Sequence, residues 1–239
     1  MAFLSGKSAK ALVNEFDLSA YFNSCDIGVD VAALETTAFG KTSRNYLAGL
    51  KNGTVSLAGY WDGAASAVDV VLAASLGASA GRVVTFGSDR LTVGKRVKLV
   101  SGKTTSYRVS TPVDGVVAVS ADLQADNGVD HGHSHHALAS EGATGSSASV
   151  DGLAGSTNGG VANLHVTVNI RSANSTFKIQ DSANDIAWAD LITFAVVATT
   201  VVTSEQATVA GDVDRYTRGD WTYAAGTGAD TFALAFARR

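Results

Sequence analysis

Residues 33–63, A-L-E-T-T-A-F-G-K-T-S-R-N-Y-L-A-G-L-K-N-G-T-V-S-L-A-G-Y-W-D-G, constrain this chain more than any other stretch. Residues 54–61 alternate: Val55, Leu57, Gly59 and Trp61 on one side, Thr54, Ser56, Ala58 and Tyr60 on the other. That is the period of a half-buried strand. The preceding residues have no regular period and are rich in Thr, Gly, Asn and Lys, yet they carry Phe39, Tyr46, Leu47 and Leu50. They read as one long loop, residues 33–53. Such a loop is too polar to be a core, so its large apolar groups need an outside cover, for which a second copy of the chain is a candidate.

A chain of 239 residues can build two modest domains with their own cores. A net charge of −4 argues against a cationic nucleic-acid binder. Pro112 is the only proline, Gly is abundant, and Ala, Val, Thr and Ser dominate, which favours strands and tight turns. Cys25 is the only cysteine, so no intramolecular disulfide can form. The start, M-A-F-L-S-G-K-S-A-K, lacks a basic segment followed by an apolar run, so no secretory signal is expected. The most apolar windows, 64–78 and 192–202, are too short and interrupted to span a bilayer, and no membrane partner is expected.

Residues 3–32 read as an N-terminal arm with short strands at 13–18 and 25–31 and aromatics Phe16, Tyr21 and Phe22 between them. After Asp62-Gly63 the period changes: Val68, Val71, Leu72 and Leu76 share one face of a helix over 64–76, and Gly77 is a suitable stop. Strands are expected at 82–86, 90–93, 96–100, 106–110 and 116–124. In the last, Val117, Val119, Ala121 and Leu123 alternate with Ala118, Ser120, Asp122 and Gln124. From 128 to 160 the chain turns polar and Gly/Ser-rich, which predicts a flexible linker, residues 137–159, between a first domain (1–136) and a second (160–239). The second block opens with Leu164, Val166, Val168 and Ile170 alternating with Asn163, His165, Thr167 and Asn169, and has further strands at 177–181, 191–197, 206–210, 215–223 and 230–237. The fold class is therefore mainly β: a β-sandwich or barrel-like body with one packed α-helix, followed by a small C-terminal β-sandwich.

Motifs of chemistry are weak. Gly40-Lys41-Thr42 and Gly102-Lys103-Thr104 resemble the end of a phosphate-binding loop, but Glu35 and Val97 stand where its first glycine belongs. His131, His133, His135 and His136 form H-x-H-x-H-H, and alternate histidines on an extended segment can hold Zn²⁺ or Ni²⁺. In a glycine-rich stretch with no completing ligand, a solvated loop is expected and no metal site is assigned. His165 sits on the polar face of a strand and needs no role. Arg218-Gly219-Asp220 spells an adhesion tripeptide inside a predicted strand, and Asn52-Gly53-Thr54 and Asn174-Ser175-Thr176 match glycosylation acceptors that have no secretion signal to use them. No G-x-S-x-G, H-E-x-x-H or dinucleotide fingerprint is present, and no nucleophile–base–acid set stands out, so no enzyme and no cofactor is expected. Trp61, Trp188, Trp221, Tyr216 and Tyr223 are candidates for a sugar-stacking platform or for core positions.

The run from Glu35 to Gly63 resembles the signature of major tail tube proteins of long-tailed, non-contractile bacteriophages. The residues that carry the resemblance are Thr36, Thr37, Phe39, Gly40, Tyr46, Gly49, Leu50, Lys51, Gly53 and Trp61-Asp62-Gly63, with the following helix and G-V-V-A-V-S-A-D-L-Q. The similarity covers roughly residues 10–140, and residues 160–239 look like an extra β-sandwich appended to some such proteins. The resemblance implies rings, usually hexameric, that stack into a hollow tube through which double-stranded DNA passes. It implies contacts with ring neighbours, stacked rings and other tail proteins (tape measure, terminator, distal tail), in a virion tail assembled in the bacterial cytoplasm. Phe39, Tyr46, Leu47 and Leu50 would be the inter-subunit anchors. DNA carries about one charge per 1.7 Å, so a bore that lets it slide should be acidic or neutral. Asp122 and Asp126 are lumen candidates on that ground. Two other readings stay open: a virion surface protein that binds a host-surface glycan through residues 160–239, and a hydrolase.

Overall fold

The computed structural model describes residues 5–239, so Phe3, the expected start of the arm, lies outside the described residues. The chain is mainly β, with antiparallel sheets and one short helix. Strand β1 (Lys10–Val13) turns at Asn14, φ +52°, into β2 (Phe16–Asp17). Asn is among the few residues that accept that conformation. Then come β3 (Phe22–Glu35), β4 (Tyr46–Tyr60), helix α1 (Val68–Ala73), β5 (Arg82–Gly87), β6 (Arg96–Ser110) and β7 (Ala118–Glu141). Two short strands, β8 (Gly145–Ser146) and β9 (Val150–Asp151), precede β10 (Gly160–Asn169), β11 (Ser175–Ser182), β12 (Ala189–Thr193), β13 (Thr203–Val209), β14 (Tyr216–Tyr223) and β15 (Asp230–Arg238).

Ten strands form one sheet in the order β13-β10-β15-β7-β6-β5-β1-β2, with β4 also paired to β7 and β3 to β4. Strand β7 is 24 residues long and joins both halves of the chain. Its first part is paired to β4 and β6, and its last part to β15. A second sheet, β12-β11-β14 with β8 and β9, covers the C-terminal part of the first. One core lies under α1 and includes Val55, Leu57, Val71, Leu72, Val100 and Leu123. Another fills the space between the two sheets around Phe177, Ile179, Trp221 and Phe232. A third joins the halves: Leu12, Leu91, Val97 and Leu99 meet Val161, Ala233, Ala235 and Ala237.

Several sequence expectations are corrected here. Residues 128–141, read as the entry to a flexible linker, are strand, and residues 142–159 carry β8 and β9. Glycine and serine there reflect close packing rather than slack: Gly132 lies against the backbone of Phe236, and Ser134 is buried with its hydroxyl on the Leu91 carbonyl (2.5 Å). The expected helix over 64–76 shrinks to six residues because Ser66 adopts φ +65° just before it. Val68, Val71 and Leu72 are buried as expected, whereas Leu76 is half exposed and Ser75 points inward to Thr104 (2.6 Å). Residues 90–93 form a turn around Arg90, φ +61°, and the two strands expected at 96–100 and 106–110 are one.

The histidines are the largest correction. His165 is fully buried, not on a polar face. Its Nδ1 faces the Asn14 carbonyl (2.5 Å) and its Nε2 faces Thr85 Oγ1 (2.7 Å). A carbonyl only accepts, so Nδ1 carries the proton and Nε2 accepts from the Thr85 hydroxyl. Asn163 completes the latch, with Nδ2 on the Val84 carbonyl (3.0 Å) and Thr85 Oγ1 (3.0 Å) and Oδ1 receiving Gln206 Nε2 (2.9 Å). His135 is wired in the same way, Nδ1 to the His133 carbonyl (3.0 Å) and Nε2 to Thr217 Oγ1 (2.8 Å), and so ties the two sheets together. His136 is buried too, stacked on Phe232 at 4.1 Å.

Burial pushes both His135 and His165 down to about 4 from an ordinary value near 6.5. The unfolded chain takes up these protons near pH 6.5, the folded chain only near pH 4. Their stabilising contribution is therefore complete above about 6.5 and is lost as pH falls toward 4, by up to about 3 kcal/mol for each ring. Urea midpoints measured from pH 7.5 to pH 4.5 should fall, and His165→Gln should flatten that fall while costing about 1–3 kcal/mol at neutral pH. A variant with an unchanged pH profile would contradict the neutral wiring of His165.

Candidate assembly interface

Strands β3 and β4 pair through twelve registered positions, from Phe22↔Gly59 to Glu35↔Tyr46. Only Thr54 to Tyr60 of β4 also pair with β7. Beyond that point β4 has no strand neighbour but β3 among the described residues, and residues 29–53 leave the body as a two-stranded ribbon. The eight residues 46–53 give it a reach of about 25 Å at about 3.3 Å each. Burial records the departure. Gly53, Val55, Leu57 and Gly59 are buried in alternation, while no residue from 46 to 52 or from 29 to 35 is. The ribbon leaves at Gly53, where a Cβ would come within 2.9 Å of Ala125 Cβ and 3.0 Å of Val129 Cγ2.

The long loop expected at 33–53 is thus mostly strand, and the true loop is residues 36–45. Alternation was hidden because neither face of the ribbon is buried. The polar residues of the motif close the loop. Thr36 N–H donates to the Asn45 carbonyl (2.8 Å), Asn45 N–H donates to Thr37 Oγ1 (3.0 Å), and Arg44 sits 3.8 Å from Glu35. Gly40, at φ +82°, turns the tip.

All four proposed anchors lie on this ribbon. Phe39 is fully exposed at the tip, Leu50 is 87% exposed, and Tyr46 and Leu47 are more than half exposed. Val29, Val31 and Leu34 add to them, with Leu34 directly across from Leu47. A lone two-stranded ribbon is marginal in water, and the outer edge of β3 has no strand beside it among the described residues. Among the described residues the body gives this apolar surface no cover.

A polar face lies on the other side of the sheet from α1. Asp26, Ser56, Asp122 and Ser106 stand in one row across β3, β4, β7 and β6. Asp122 accepts from Ser106 Oγ (2.6 Å) and Ser56 Oγ (2.7 Å), and these hydroxyls, Ser106 foremost, hold its carboxyl below the usual range. Asp126 is exposed at the irregular step of β7 between Ala125 and Val129, outside that hydrogen-bonded row.

The remaining motifs resolve into structure. Gly40-Lys41-Thr42 is in the ribbon loop and Gly102-Lys103-Thr104 is in β6, so neither leads into a helix. Among the described residues no three His, Cys, Asp or Glu side chains converge as metal ligands. The five aromatics do not gather on one surface. Trp221 is buried with its Nε1–H on the Ala143 carbonyl (2.8 Å), Tyr223 lies under Arg171 (3.8 Å), Tyr216 under Arg215 (4.9 Å), Trp188 under Arg218 (4.2 Å), and Trp61 follows β4 in the other half. Arg218-Gly219-Asp220 is held inside β14, with Arg218 donating twice to Gln180 Oε1 (2.8 and 2.9 Å).

No family model and no curated protein sequence matches the chain. Among solved structures it is similar to a protein of the virion of a native gene transfer agent particle, at 14% identity and a TM-score of 0.44, over 54% of this chain and 98% of that one. It is similar to the SPP1 tail tube protein at 13% identity and a TM-score of 0.43, over 54% of this chain and 78% of that one. It is also similar to SPP1 Dit, titled a paradigm of hub adsorption apparatus in phages infecting Gram-positive bacteria, at 12% identity and a TM-score of 0.36, over 96% and 98% of the two chains.

Because the ribbon's apolar groups touch little of their own body, Phe39→Ser and Leu50→Ser should leave monomer stability within about 0.5 kcal/mol. Gly53→Val, which forces β4 away from Ala125 and Val129, should cost about 1–3 kcal/mol. Urea unfolding of dilute protein measures both, and a large loss from Phe39→Ser would place that ring inside the monomer fold.

Proposed function

We propose that this chain is a structural subunit of a bacteriophage tail tube: copies form rings, hexameric by the family resemblance, that stack into a hollow conduit for double-stranded DNA. The observation that carries the reading is the ribbon of residues 29–53, with its exposed apolar side chains and open strand edge. The resemblance of residues 35–63 to tail tube proteins supports it independently.

The physics follows from that shape. Covering Phe39, Tyr46, Leu47 and Leu50 on a neighbouring copy contributes roughly 1.5–3 kcal/mol each if burial is complete. An open strand edge accepts a strand from the neighbour and merges two sheets. A contact between a projecting ribbon and a different surface of the next copy is head-to-tail, and when it does not close on itself it produces an open polymer. The face of small polar residues around Asp122 lines the bore in this reading, with Asp126 near it. The hydroxyl-bound carboxylate of Asp122 and the carboxylate of Asp26 offset Lys103 and Arg108 on the same face, so the lining is not cationic and DNA slides rather than sticks. Residues 160–239 lie on the tube exterior. Tape measure, terminator and distal tail proteins meet the ends of the stack.

Negative-stain microscopy of concentrated protein should show long hollow filaments. Tyr46→Ala combined with Leu50→Ala should keep the monomer folded and abolish them, and undiminished tubes would contradict the role given to the ribbon. In virions, Asp122→Lys with Asp126→Lys should slow DNA ejection, since basic groups on the bore would grip phosphates. Normal kinetics from correctly built tubes would count against an acidic lining.

A further inference from the structure

Strands β6 and β7 carry a second constellation that the tube reading does not use. Arg96 lies directly across from His133, and Lys98 directly across from His131. The four stand at alternate positions of adjacent strands and therefore share one sheet face. Lys98 Nζ is 3.4 Å from His131 Nδ1. All four open into a groove of roughly 530 Å³, with Phe86, itself across from Lys98, as one wall. This is the face opposite Asp122: Lys98 alternates in phase with Val100, a residue of the core under α1, whereas Asp122 alternates out of phase with Leu123 of the same core.

We propose that Arg96, Lys98, His131 and His133 form a binding site for a phosphate group. The carboxylates nearby are already committed. Asp89 is held by Lys95 (2.5 Å), and Asp130 is held by both ends of the Arg239 guanidinium (2.8 and 3.0 Å). Neither Arg96 nor Lys98 has a carboxylate partner among the described residues. Lys98 donates to Nδ1 of the neutral His131 ring, which leaves Nε2–H of that ring and the remaining donors of Lys98 and Arg96 free to point at an anion in the groove. Guanidinium, ammonium and two imidazoles are a donor set suited to phosphate oxygens.

The titration of the two rings agrees with this geometry. Burial and the charges of Lys98 and Arg96 hold His131 below its usual value, against the opposing pull of Asp130. Burial, Arg96 and Arg238 do the same to His133. Lys95 and Asp89 at the groove rim offset each other. A phosphate between the rings would favour their protonated forms, so binding should raise both pKa values, and affinity should rise as pH falls through the range where the rings titrate.

The phosphate can be free inorganic phosphate or part of a DNA backbone, and the test separates these sources. The probes are sodium phosphate against sodium chloride at matched ionic strength, and a short DNA duplex, each added to the full chain while the histidine ring resonances are followed by NMR. Saturable shifts of His131 and His133 with phosphate alone assign a site for the free ion. Shifts at the same rings with the duplex, competed by phosphate, assign a backbone phosphate to the same seat. Arg96→Gln with Lys98→Gln should weaken binding by about tenfold or more, as charge-assisted hydrogen bonds are lost, with an unchanged melting profile. Should that pair disturb folding, the exposed His131→Asn serves, and it should weaken binding while leaving the His133 shift detectable. No saturation with either probe, or undiminished affinity in a folded variant, would overturn the proposal.

Discussion

A strand in the interior of a sheet must have both edges hydrogen-bonded, and in this protein that constraint falls hardest on β7. Its 24 residues draw their partners from three other strands. On one edge β6 serves from Ala118 to His133. On the other, β4 serves the first part and β15 the last, so the strand changes neighbour midway. The change takes place at the irregular step from Ala125 to Val129, where Gly128 adopts φ +80°. Registered pairing with β4 stops at Gln124, just before that step, and β4 peels away there, so the ribbon leaves the body at Gly53 against Ala125 and Val129.

The same handover binds the two halves of the chain into one sheet. Strand β15 brings β10 and β13 with it, and β10 places Asn163 and His165 against Asn14 and Thr85 of the first half. A buried polar cluster of this kind is stabilising only when every member is satisfied. Here the neutral ring of His165 has one nitrogen to give and one to receive, and its two neighbours supply the matching acceptor and donor. Around it lies the mixed apolar cluster of Leu99, Val161 and Ala235. The halves are joined by shared backbone pairing, shared apolar packing and one polar latch.

The two faces of the β4-β7-β6 region then take different character. One side carries α1 and its core, and beyond that core the cationic groove of Arg96 and Lys98. The other carries short hydroxyl side chains around Asp122. The Asp122 face is mixed in charge, since Lys103 and Arg108 stand in phase with it across from Gln124 and Ser120, whereas Arg96 and Lys98 stand on the helix side of the same sheet.

The alternation of Val55, Leu57 and Gly59, and of Val119, Ala121 and Leu123, was readable from the chain because one face of each strand is buried and the other is not. The same holds for Val68, Val71 and Leu72 on α1. These patterns sufficed for a mainly β fold with one helix, and the odd mixture of polar loop residues with Phe39, Tyr46, Leu47 and Leu50 pointed to a surface unfinished in the monomer. Tertiary structure alone decided the rest. Residues 32–35 and 46–52, beyond the strand expected at 25–31, are strand without alternation, since a ribbon that buries neither face puts no period into its sequence. Residues 128–141 looked like a linker because histidine, serine and glycine are polar or small by composition. Only the arrival of β15, β14 and β6 from distant parts of the chain supplies the partners that let those groups be buried. Hydrophobic period is a local property and was legible, whereas polar satisfaction depends on residues brought together by the fold and was not.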